Sequence, residues 1–459
     1  MYNDDKLHEE CGVFGAWYTA GNQAAEDIYY GLMALQHRGQ ESAGIAVCDT
    51  AGERGNLCLR KDMGLVSEVF RGEDLEGLKG NIGVGHVRYS TTGASNIENA
   101  QPLAFYYLKG TLALVHNGNI VNAGELRKDL FNEGTVLRGT TDSEVLTCII
   151  AKERAKSGSI EEAIKKTTAY LKGGYAIIVM SPRKLIAMRD PLGLKPLCLG
   201  KNEKGYVIAS ESCALTAAGA KFLRDVEPGE IITISKNGLV SDKELCGGAH
   251  AHCVFEYIYF SRLDSKLDGR AVYDARFKSG MLLAREYPVE ADIVTGVPES
   301  GLTAAAGYAK EAGIPFVQVF NKNSYVGRTF IKPTQKEREN AVHVKLSVIE
   351  STVKDKNVVI IDDSIVRGTT IAGLIKRLKE AGAKAVHVRI SSPPFLYPCY
   401  YGTDVPDNSS LIANNMDIEE IRTRIGADSL GYLTIEHLSE MTDGLPLCKA
   451  CFDGKYPVL

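Results

Sequence analysis

The chain has 459 residues, of which 44% are hydrophobic and 24% are charged, and its formal net charge at pH 7 is −4. This length exceeds that of one ordinary domain, and the composition is typical of a globular protein, so two or three domains are expected. The acidic balance argues against a nucleic acid as partner. No apolar run reaches membrane-spanning length, and the first ten residues lack the apolar core of a signal peptide. These features predict a cytoplasmic protein with no membrane partner.

Residues 11 to about 240 contain many short strand-like runs with helical patterns between them. Clustered strands of this kind predict an α+β domain with layered sheets. A Gly- and His-containing stretch, Cys246 to His252, predicts the end of that domain. The strand runs are 44–48, 112–115, 175–179, 206–209 and 230–234, and the helical patterns are 24–36 and 142–155.

Three polar motifs follow Cys11 along this first half. They are His-Val-Arg-Tyr-Ser-Thr at 86–91, His-Asn-Gly at 116–118 and Thr-Asp-Ser-Glu at 141–144. Taken singly, Cys11 is one of eleven cysteines, and an Asn-Gly pair is an ordinary turn dipeptide. Taken together and in this order, the motifs resemble the glutamine amidotransferase domain of the N-terminal-nucleophile class, which implies a layered αββα fold.

The resemblance makes Cys11 the nucleophile and the first residue of the mature chain. A free α-amine has a pKa of about 8 and can act as the base for its own thiol, whereas a backbone amide cannot. Residues 1–10 would then be a propeptide that is cut before Cys11. The alternative is that they are only a disordered terminus.

The same resemblance gives roles to the other motifs. Arg88 would bind the α-carboxylate of glutamine through its planar guanidinium, although a surface ion pair is the alternative. Asp142 would bind the α-ammonium group. The side-chain amide of Asn117 and the backbone N–H of Gly118 would form the oxyanion hole.

The second half of the chain shows a different pattern. Strand, helix and strand alternate, and the helix 302–312 is closed by Gly313. Repeated βαβ units of this kind predict an α/β domain with a parallel, doubly wound sheet. The predicted strands are 292–297, 314–320, 358–361 and 386–390.

Residues 358–370 are the most informative stretch. Val358 to Ile361 are β-branched and predict a strand buried on both faces, and Asp362 and Asp363 follow directly. A turn then leads into an amphipathic helix that stops at Gly382. Free backbone N–H groups at a helix N-terminus bind anions, and the two acids suit ribose hydroxyls and a nearby Mg²⁺. The stretch resembles the 5-phosphoribosyl-1-pyrophosphate (PRPP) motif of type I phosphoribosyltransferases, and the alternative is a solvated strand-to-helix turn.

This resemblance implies a PRPP site with three parts. Gly296 to Gly301 would be the pyrophosphate loop, or else a generic proline-containing turn. Residues 321–345 would be a flexible lid with cationic Lys322, Arg328, Lys332 and Lys336, or else a solvated surface loop. The implied PRPP-binding residues are Asp362, Asp363, Ser364, Val366, Arg367, Gly368, Thr369 and Thr370, and the implied Mg²⁺ ligands are Ser300, Asp362 and Asp363.

The two resemblances together cover nearly the whole chain, which is similar to the family of glutamine PRPP amidotransferases. The family implies a pentosyltransferase that hydrolyses glutamine and channels ammonia to C1 of PRPP in the first step of purine biosynthesis. It also implies feedback inhibition by purine nucleotides and a homo-oligomer, a tetramer.

One alternative is a non-catalytic regulator that senses PRPP, and another is an amidotransferase with a different acceptor. The chain is expected to divide into a propeptide, 1–10, a glutamine amidotransferase domain, 11–245, a phosphoribosyltransferase domain, 253–425, and a C-terminal tail, 426–459.

Four cysteines complete the resemblance. Cys448 and Cys451 form a C-x-x-C pair, and the propeptide-bearing branch of the family places further ligands at positions matching Cys253 and Cys399. Four thiolates suit a 4Fe–4S cluster or a tetrahedral zinc ion, and their spacing does not separate the two. The resemblance implies the cluster, with a structural role.

The six remaining cysteines are predicted to be buried core thiols: 48, 58, 148, 198, 213 and 246.

Overall fold

The structure is a computed structural model that describes residues 11–21, 23–51, 56–89, 93–323, 346–403 and 408–459. The predicted propeptide lies outside these ranges, as does most of the predicted lid, including Arg328, Lys332 and Lys336. Among the described residues, no helix has the length and apolar character needed to cross a membrane.

The first half of the chain forms two antiparallel sheets with helices outside them. Its elements are β1 (Gly12–Tyr18), α1 (Ala24–Ala34), β2 (Ser42–Cys48), β3 (Leu57–Met63), α2 (Val66–Val69), α3 (Glu73–Glu76), β4 (Ile82–Arg88), β5 (Leu103–Tyr107), β6 (Gly110–Ile120), α4 (Ala123–Asn132), α5 (Asp142–Lys156), α6 (Ile160–Thr167), β7 (Gly173–Ser181), β8 (Lys184–Arg189), β9 (Cys198–Lys201), β10 (Gly205–Ala209), α7 (Ser212–Ala217), β11 (Lys221–Asp225), β12 (Ile231–Ser235) and β13 (Gly238–Asp242).

The two sheets stack face to face. One has the strand order β11-β9-β10-β1-β4-β2-β3 and the other β13-β12-β8-β7-β6-β5. Val13 of the first sheet and Val115 of the second belong to one apolar cluster between them. Leu32 of α1 packs on the outer face of the first sheet, and Leu146 of α5 packs on that of the second. The predicted αββα layering is therefore confirmed.

The second half builds on a parallel sheet. Its elements are β14 (His252–Cys253), a π-helical turn (Glu256–Phe260), β15 (Lys266–Leu267), β16 (Arg270–Ala271), α8 (Val272–Glu286), β17 (Ile293–Gly296), α9 (Leu302–Ala312), β18 (Phe320–Lys322), β19 (Leu346–Val348), α10 (Glu350–Val353), β20 (Asn357–Asp362), α11 (Thr369–Glu380), β21 (Ala385–Ile390), α12 (Ile412–Asn415), α13 (Ile418–Ile425), β22 (Ser429–Tyr432), α14 (Ile435–Met441), β23 (Leu447–Cys448) and α15 (Ala450–Asp453).

The parallel sheet has the order β17-β20-β21-β22 and helices on both faces. Val359 and Ile361 pack with α8 and α9, whereas Val358 and Ile360 pack with α11 and α13. This alternation is the period of two that a strand imposes, and it makes β20 apolar on both sides. The predicted doubly wound domain is confirmed. The predicted tail contributes β22 to the same sheet.

One predicted strand, 314–320, is wrong. This segment forms only an isolated parallel bridge between Phe316 and Val294, and regular pairing begins at Phe320. The Val294 N–H donates to the Pro315 carbonyl at 2.9 Å. Proline has no N–H of its own to donate, so the segment follows the edge of the sheet without a continuous ladder.

Candidate active sites

Cys11 lies where β1 begins, beside the end of β4. Gly12 pairs with Val87, which brings Cys11 next to the residues that follow β4. Its Sγ is 3.6 Å from the Tyr89 carbonyl oxygen, and the residue is half-buried. Arg88, the last residue of β4, is buried, and its guanidinium donates to the Ala94 carbonyl at 3.2 Å. The structure therefore places the predicted nucleophile and the predicted carboxylate-binding arginine at the same sheet end.

Asn117 stands out among the buried polar residues because its amide group is not satisfied. The side chain is fully buried on β6, and neither its oxygen nor its nitrogen has a hydrogen-bond partner among the described residues. Leaving a buried polar group unpaired costs about 1–3 kcal/mol. A native protein tolerates that cost where a ligand supplies the missing partner.

Gly118, the next residue, has a backbone conformation and a close neighbour that leave no room for a side chain. Its φ is +134°, and a Cβ there would lie 2.1 Å from the carbonyl oxygen of Gly174 on the neighbouring strand β7. The position requires glycine because β6 and β7 approach closely at this point.

Asp142 begins α5, and Thr141 caps the helix by accepting a hydrogen bond from the Glu144 N–H. One oxygen of Asp142 accepts from the Ile120 N–H at 2.9 Å, which attaches the carboxylate to the end of β6. Its other oxygen accepts from the Ser143 N–H at 2.8 Å. Asp142 is thus held at the end of β6, the strand that also contains Asn117 and Gly118.

Two buried histidines, for which the sequence predicted no role, connect these strands. His86 Nε2 lies 3.0 Å from the His116 carbonyl oxygen, which joins β4 to β6 across the stacked sheets. Burial lowers the pKa of His86 to about 3 and also lowers that of His116. Both rings are therefore neutral near pH 7. The signal in the sequence is a histidine that directly follows an apolar and glycine-containing run in each strand.

The second site is at the carboxyl edge of the parallel sheet. Gly296 at the end of β17 is paired with Ile361, so the loops after β17 and β20 lie side by side. Ser300 Oγ is 3.5 Å from Asp362 Oδ1. Asp362 and Asp363 are both 3% exposed. Three oxygen-bearing side chains therefore meet where open α/β sheets bind ligands.

Every predicted PRPP-binding residue lies between Asp362, the last residue of β20, and the first turn of α11. Ser364 Oγ donates to Asp363 Oδ2 at 2.6 Å, and the Val366 carbonyl accepts from the Ile412 N–H at 2.8 Å. Gly368 has φ +84°, and α11 starts directly after it, with Thr369 and Thr370 in its first turn. Arg367 precedes this glycine. The turn thus ends at a helix N-terminus, the position that favours anions.

One end of the predicted lid is described. Lys322, the last residue of β18, forms an ion pair with Glu299 at 2.9 Å. Glu299 belongs to the loop after β17 that also contains Ser300. The described end of the lid segment therefore contacts the loop that contains Ser300.

Comparisons with known proteins agree with this two-site arrangement. Family models of a glutamine amidotransferase domain and a phosphoribosyl transferase domain match residues 86–217 and 277–391. Amidophosphoribosyltransferases from Methanocaldococcus jannaschii and Bacillus subtilis are 46% and 47% identical to the chain, covering 97% and 98% of it and 97% and 94% of their own lengths. The chain belongs to the amidophosphoribosyltransferase family. The predicted family and enzyme class are confirmed, and the alternative of a non-catalytic PRPP sensor is not favoured.

A solved relative has the same fold over nearly the whole chain. The glutamine PRPP amidotransferase from B. subtilis, complexed with ADP and GMP, superposes with a TM-score of 0.90 at 46% identity and covers 98% of both chains.

The four cysteines predicted as cluster ligands come together in this family member. Cys253 on β14 is paired with Cys448 on β23, and both line one cavity with Cys399 and Cys451. Burial raises the pKa of Cys448 to about 12, and burial and the neighbouring thiols raise that of Cys451. Within the described ranges, no three His, Cys, Asp or Glu side chains are placed to hold a single metal ion.

The other cysteines match the prediction of buried core thiols only in part. Cys48, Cys198 and Cys213 are buried, and Cys148 and Cys246 are half-buried. Cys58 is exposed, so that prediction is wrong for this residue. It lies on β3, an edge strand of the first sheet as far as the structure describes it, and the neighbouring side chains of this strand are also exposed.

Proposed function

We propose that the chain transfers the amide nitrogen of glutamine to C1 of PRPP, giving 5-phosphoribosylamine, glutamate and pyrophosphate in the first step of purine biosynthesis. The observation that supports this is a buried Asn117 amide with no partner among the described residues in the first half, together with an acidic turn that ends at a helix N-terminus on the parallel sheet of the second half. The test is glutamate release with and without PRPP and Mg²⁺ under anaerobic conditions. PRPP-stimulated release that matches pyrophosphate one for one is expected, and release indifferent to PRPP would contradict the proposal.

In the glutaminase half, Cys11 attacks the glutamine carboxamide and forms a glutamyl thioester, releasing ammonia. Asn117 and Gly118 donate to the oxyanion that develops during this attack, and this accounts for the unsatisfied Asn117 amide. Arg88 binds the α-carboxylate of glutamine and Asp142 its α-ammonium group. Both charged side chains are buried, so water would screen their ion pairs with glutamine only weakly.

The base for Cys11 is its own α-amine in this proposal. It requires removal of residues 1–10, because an amide-linked nitrogen cannot accept the thiol proton. Intact-mass measurement of the purified protein is expected to show a chain that begins at Cys11. A chain that keeps the ten residues and is fully active would contradict the proposed propeptide.

In the transferase half, Asp362 to Thr370 bind PRPP and the loop with Ser300 faces its pyrophosphate. Ser300, Asp362 and Asp363 would hold Mg²⁺, for which hard oxygen donors are the preferred ligands, and the ion would supply charge neutralisation for the leaving pyrophosphate. The backbone N–H groups after Gly368 would bind phosphate. Ammonia would reach C1 internally, because protonation in bulk water removes its nucleophilic lone pair.

Asp362→Asn is expected to lower kcat/KM for PRPP at least about 10-fold, because it removes one anionic ligand of the metal and substrate. Basal glutamine hydrolysis should persist. The matched control is Asp292→Asn at the opposite edge of the same sheet, where Asp292 accepts from the Asn357 N–H at 2.7 Å. Steady-state kinetics with both variants test the assignment, and unchanged PRPP kinetics in Asp362→Asn would contradict it.

We further propose that Cys253, Cys399, Cys448 and Cys451 hold a 4Fe–4S cluster. Four thiols around one cavity suit this group and a tetrahedral zinc ion alike, and the resemblance to the propeptide-bearing branch of the family favours the cluster. Its thiolate–iron bonds would supply structural stabilisation. Leu194 and Lys195 of the first half also line the cavity, so the cluster would tie the tail to both halves.

Anaerobically purified protein is expected to contain about four iron and four sulfide per chain, as this cluster type requires. Cys451→Ser should lose the iron and lower Tm, whereas Cys213→Ser, at a buried thiol outside the cavity, should keep it. Zinc in place of iron would contradict the cluster.

Regulation and assembly follow the same family proposal. Purine nucleotides would act as feedback inhibitors, supported by the ADP and GMP in the solved B. subtilis relative. The domain limits 11–245 and 253–425 are proposed because both matched domain models fall inside them, and the tail 426–459 adds β22 to the transferase sheet. A tetramer, a cytoplasmic location and the lack of nucleic-acid and membrane partners stay predictions.

A further inference from the structure

His86 is a fully buried histidine that connects the two sheets of the first half. It lies on β4, two residues before Arg88, and it pairs with Val13, whose side chain lies between the sheets. The Nε2 atom of His86 is 3.0 Å from the His116 carbonyl oxygen on β6. A carbonyl can only accept a hydrogen bond, so His86 carries its proton on Nε2 and donates it to the other sheet.

The His116 carbonyl has this side-chain partner because the neighbouring strand stops short of it. At this end of the second sheet β5 reaches only to Leu103, so side chains replace it as the partners of β6. The His116 N–H donates to the Gln101 side-chain oxygen at 2.7 Å, and the His116 carbonyl accepts from His86. Two buried side chains therefore hold the backbone of the residue that precedes Asn117.

Packing alone does not account for a histidine at this position. With the proton on Nε2, the Nδ1 atom of His86 is an acceptor, and it has no hydrogen-bond partner among the described residues. An apolar side chain of similar size would fill the same space without burying an unpaired nitrogen. Burial also lowers the pKa of His86 to about 3, whereas a general base works best with a pKa near the working pH. The hydrogen bond to His116 is therefore what this histidine supplies.

This hydrogen bond connects the two strands that carry the proposed glutamine-binding groups. β4 ends at Arg88, the proposed partner of the α-carboxylate, and β6 contains the proposed oxyanion donors, Asn117 and Gly118. The last residue of β6, Ile120, donates to the Asp142 carboxylate at 2.9 Å. The separation of β4 and β6 therefore sets the distance between the α-carboxylate site and the oxyanion hole. Oxyanion donors act only where the charge develops, and a misplacement of about 1 Å can cost roughly 10²-fold in rate.

We propose that His86 is a positioning residue that holds the oxyanion hole at the correct distance from the α-carboxylate site. This inference deepens the proposed glutaminase function and rests on it. His86 acts through the His116 carbonyl and does not touch glutamine. Without its hydrogen bond the peptide group between His116 and Asn117 can rotate, and the donors of Asn117 and Gly118 then move away from the developing oxyanion. The groups that bind the α-carboxylate and the α-ammonium stay in place.

The test uses His86→Leu, which fills a similar volume and has no donor. Its kcat for glutamine hydrolysis is expected to fall at least about 10-fold, less than the cost of about 10²–10³-fold for losing an oxyanion donor altogether. The inhibition constant of glutamate, the product with the same α-groups, should change little, and so should KM for glutamine. Ammonia-dependent synthesis at the second site should be unchanged.

His86→Gln and His86→Asn separate the reach of the side chain from its polarity. The amide nitrogen of a glutamine side chain lies near the position of Nε2, so His86→Gln can donate to the His116 carbonyl and should restore most of the lost kcat. An asparagine side chain is shorter by one carbon–carbon bond, so His86→Asn should resemble His86→Leu. This pair provides the same comparison if His86→Leu does not fold. An equally low kcat in His86→Gln and His86→Asn would overturn the inference.

Asn81→Leu is the matched control. Asn81 is buried, directly precedes β4 at its other end and donates to the Tyr18 carbonyl at 2.7 Å. Its replacement also removes a buried donor from a strand carbonyl, so it should lower Tm as His86→Leu does and keep the wild-type kcat. An equal loss of kcat in both variants would overturn the inference, because any loosening of the sheets would then suffice. A His86→Leu enzyme that is impaired only in glutamate binding would overturn it too.

Failure of this inference is distinguishable from failure of the proposed function. A wild-type protein that releases no glutamate from glutamine would contradict the proposed function itself. A wild type that hydrolyses glutamine, together with His86→Leu and His86→Asn variants of normal kcat, would overturn only the role of His86.

Discussion

Cys11→Ala is expected to reduce glutamine-dependent synthesis of phosphoribosylamine at least about 10³-fold, because removing a covalent nucleophile leaves only the binding groups and the oxyanion hole. Synthesis from free ammonia should persist, since ammonia bypasses the thioester and reacts directly at the second site. The measurement is PRPP-dependent pyrophosphate release with glutamine and, separately, with ammonium chloride at a pH that deprotonates part of the ammonium.

The control for this change is Cys48→Ala, at a buried thiol on β2 in the same sheet. It should retain both activities apart from the stability cost of a small cavity. Loss of both activities in Cys11→Ala, with Cys48→Ala unaffected, would show that the two sites do not work independently. The division into two half-reactions would then be wrong.

The transferase site could be predicted in detail because its residues are contiguous. Strand, acids, turn and helix start all lie between Val358 and Thr370, and a strand that ends at a helix N-terminus has few possible geometries. The local sequence pattern predicted a strand at 314–320 that does not form. Pro315 and the position at the sheet edge prevent regular pairing there despite the β-branched residues. Propensity is a weaker constraint than the hydrogen-bond partners that a segment can reach.

The arrangement of the first domain was harder to predict from its residues alone. β2 is buried along its whole length because one face meets helices and the other meets the second sheet. Such a strand shows no alternation, so the pattern predicted layered sheets but not their order, and the αββα arrangement came from the resemblance. Contacts such as Arg38 with Glu256 join distant segments, and no local spacing could have predicted them.

Asn117→Ala is expected to separate activity from stability. The loss of one preorganised oxyanion donor should lower glutamine hydrolysis by about 10²–10³-fold, mainly in kcat. Ammonia-dependent synthesis should be unchanged. The free energy of unfolding should not fall and is expected to rise by up to about 1 kcal/mol, because the substitution removes a buried amide that has no partner among the described residues.

Asn122→Ala, in the same domain, is expected to affect stability and activity in the opposite way. The Asn122 side chain accepts from the Lys172 N–H at 3.0 Å and donates to the Tyr170 carbonyl at 2.9 Å, so its removal should lower stability and leave hydrolysis intact. Thermal unfolding measures the change in stability of each variant, and steady-state kinetics measure the change in glutamine hydrolysis. A destabilised Asn117→Ala enzyme with normal kcat would mean that the amide has a structural partner and that another group stabilises the oxyanion. The expected pattern, less activity with no loss of stability, is what a residue held unsatisfied for its ligand should give.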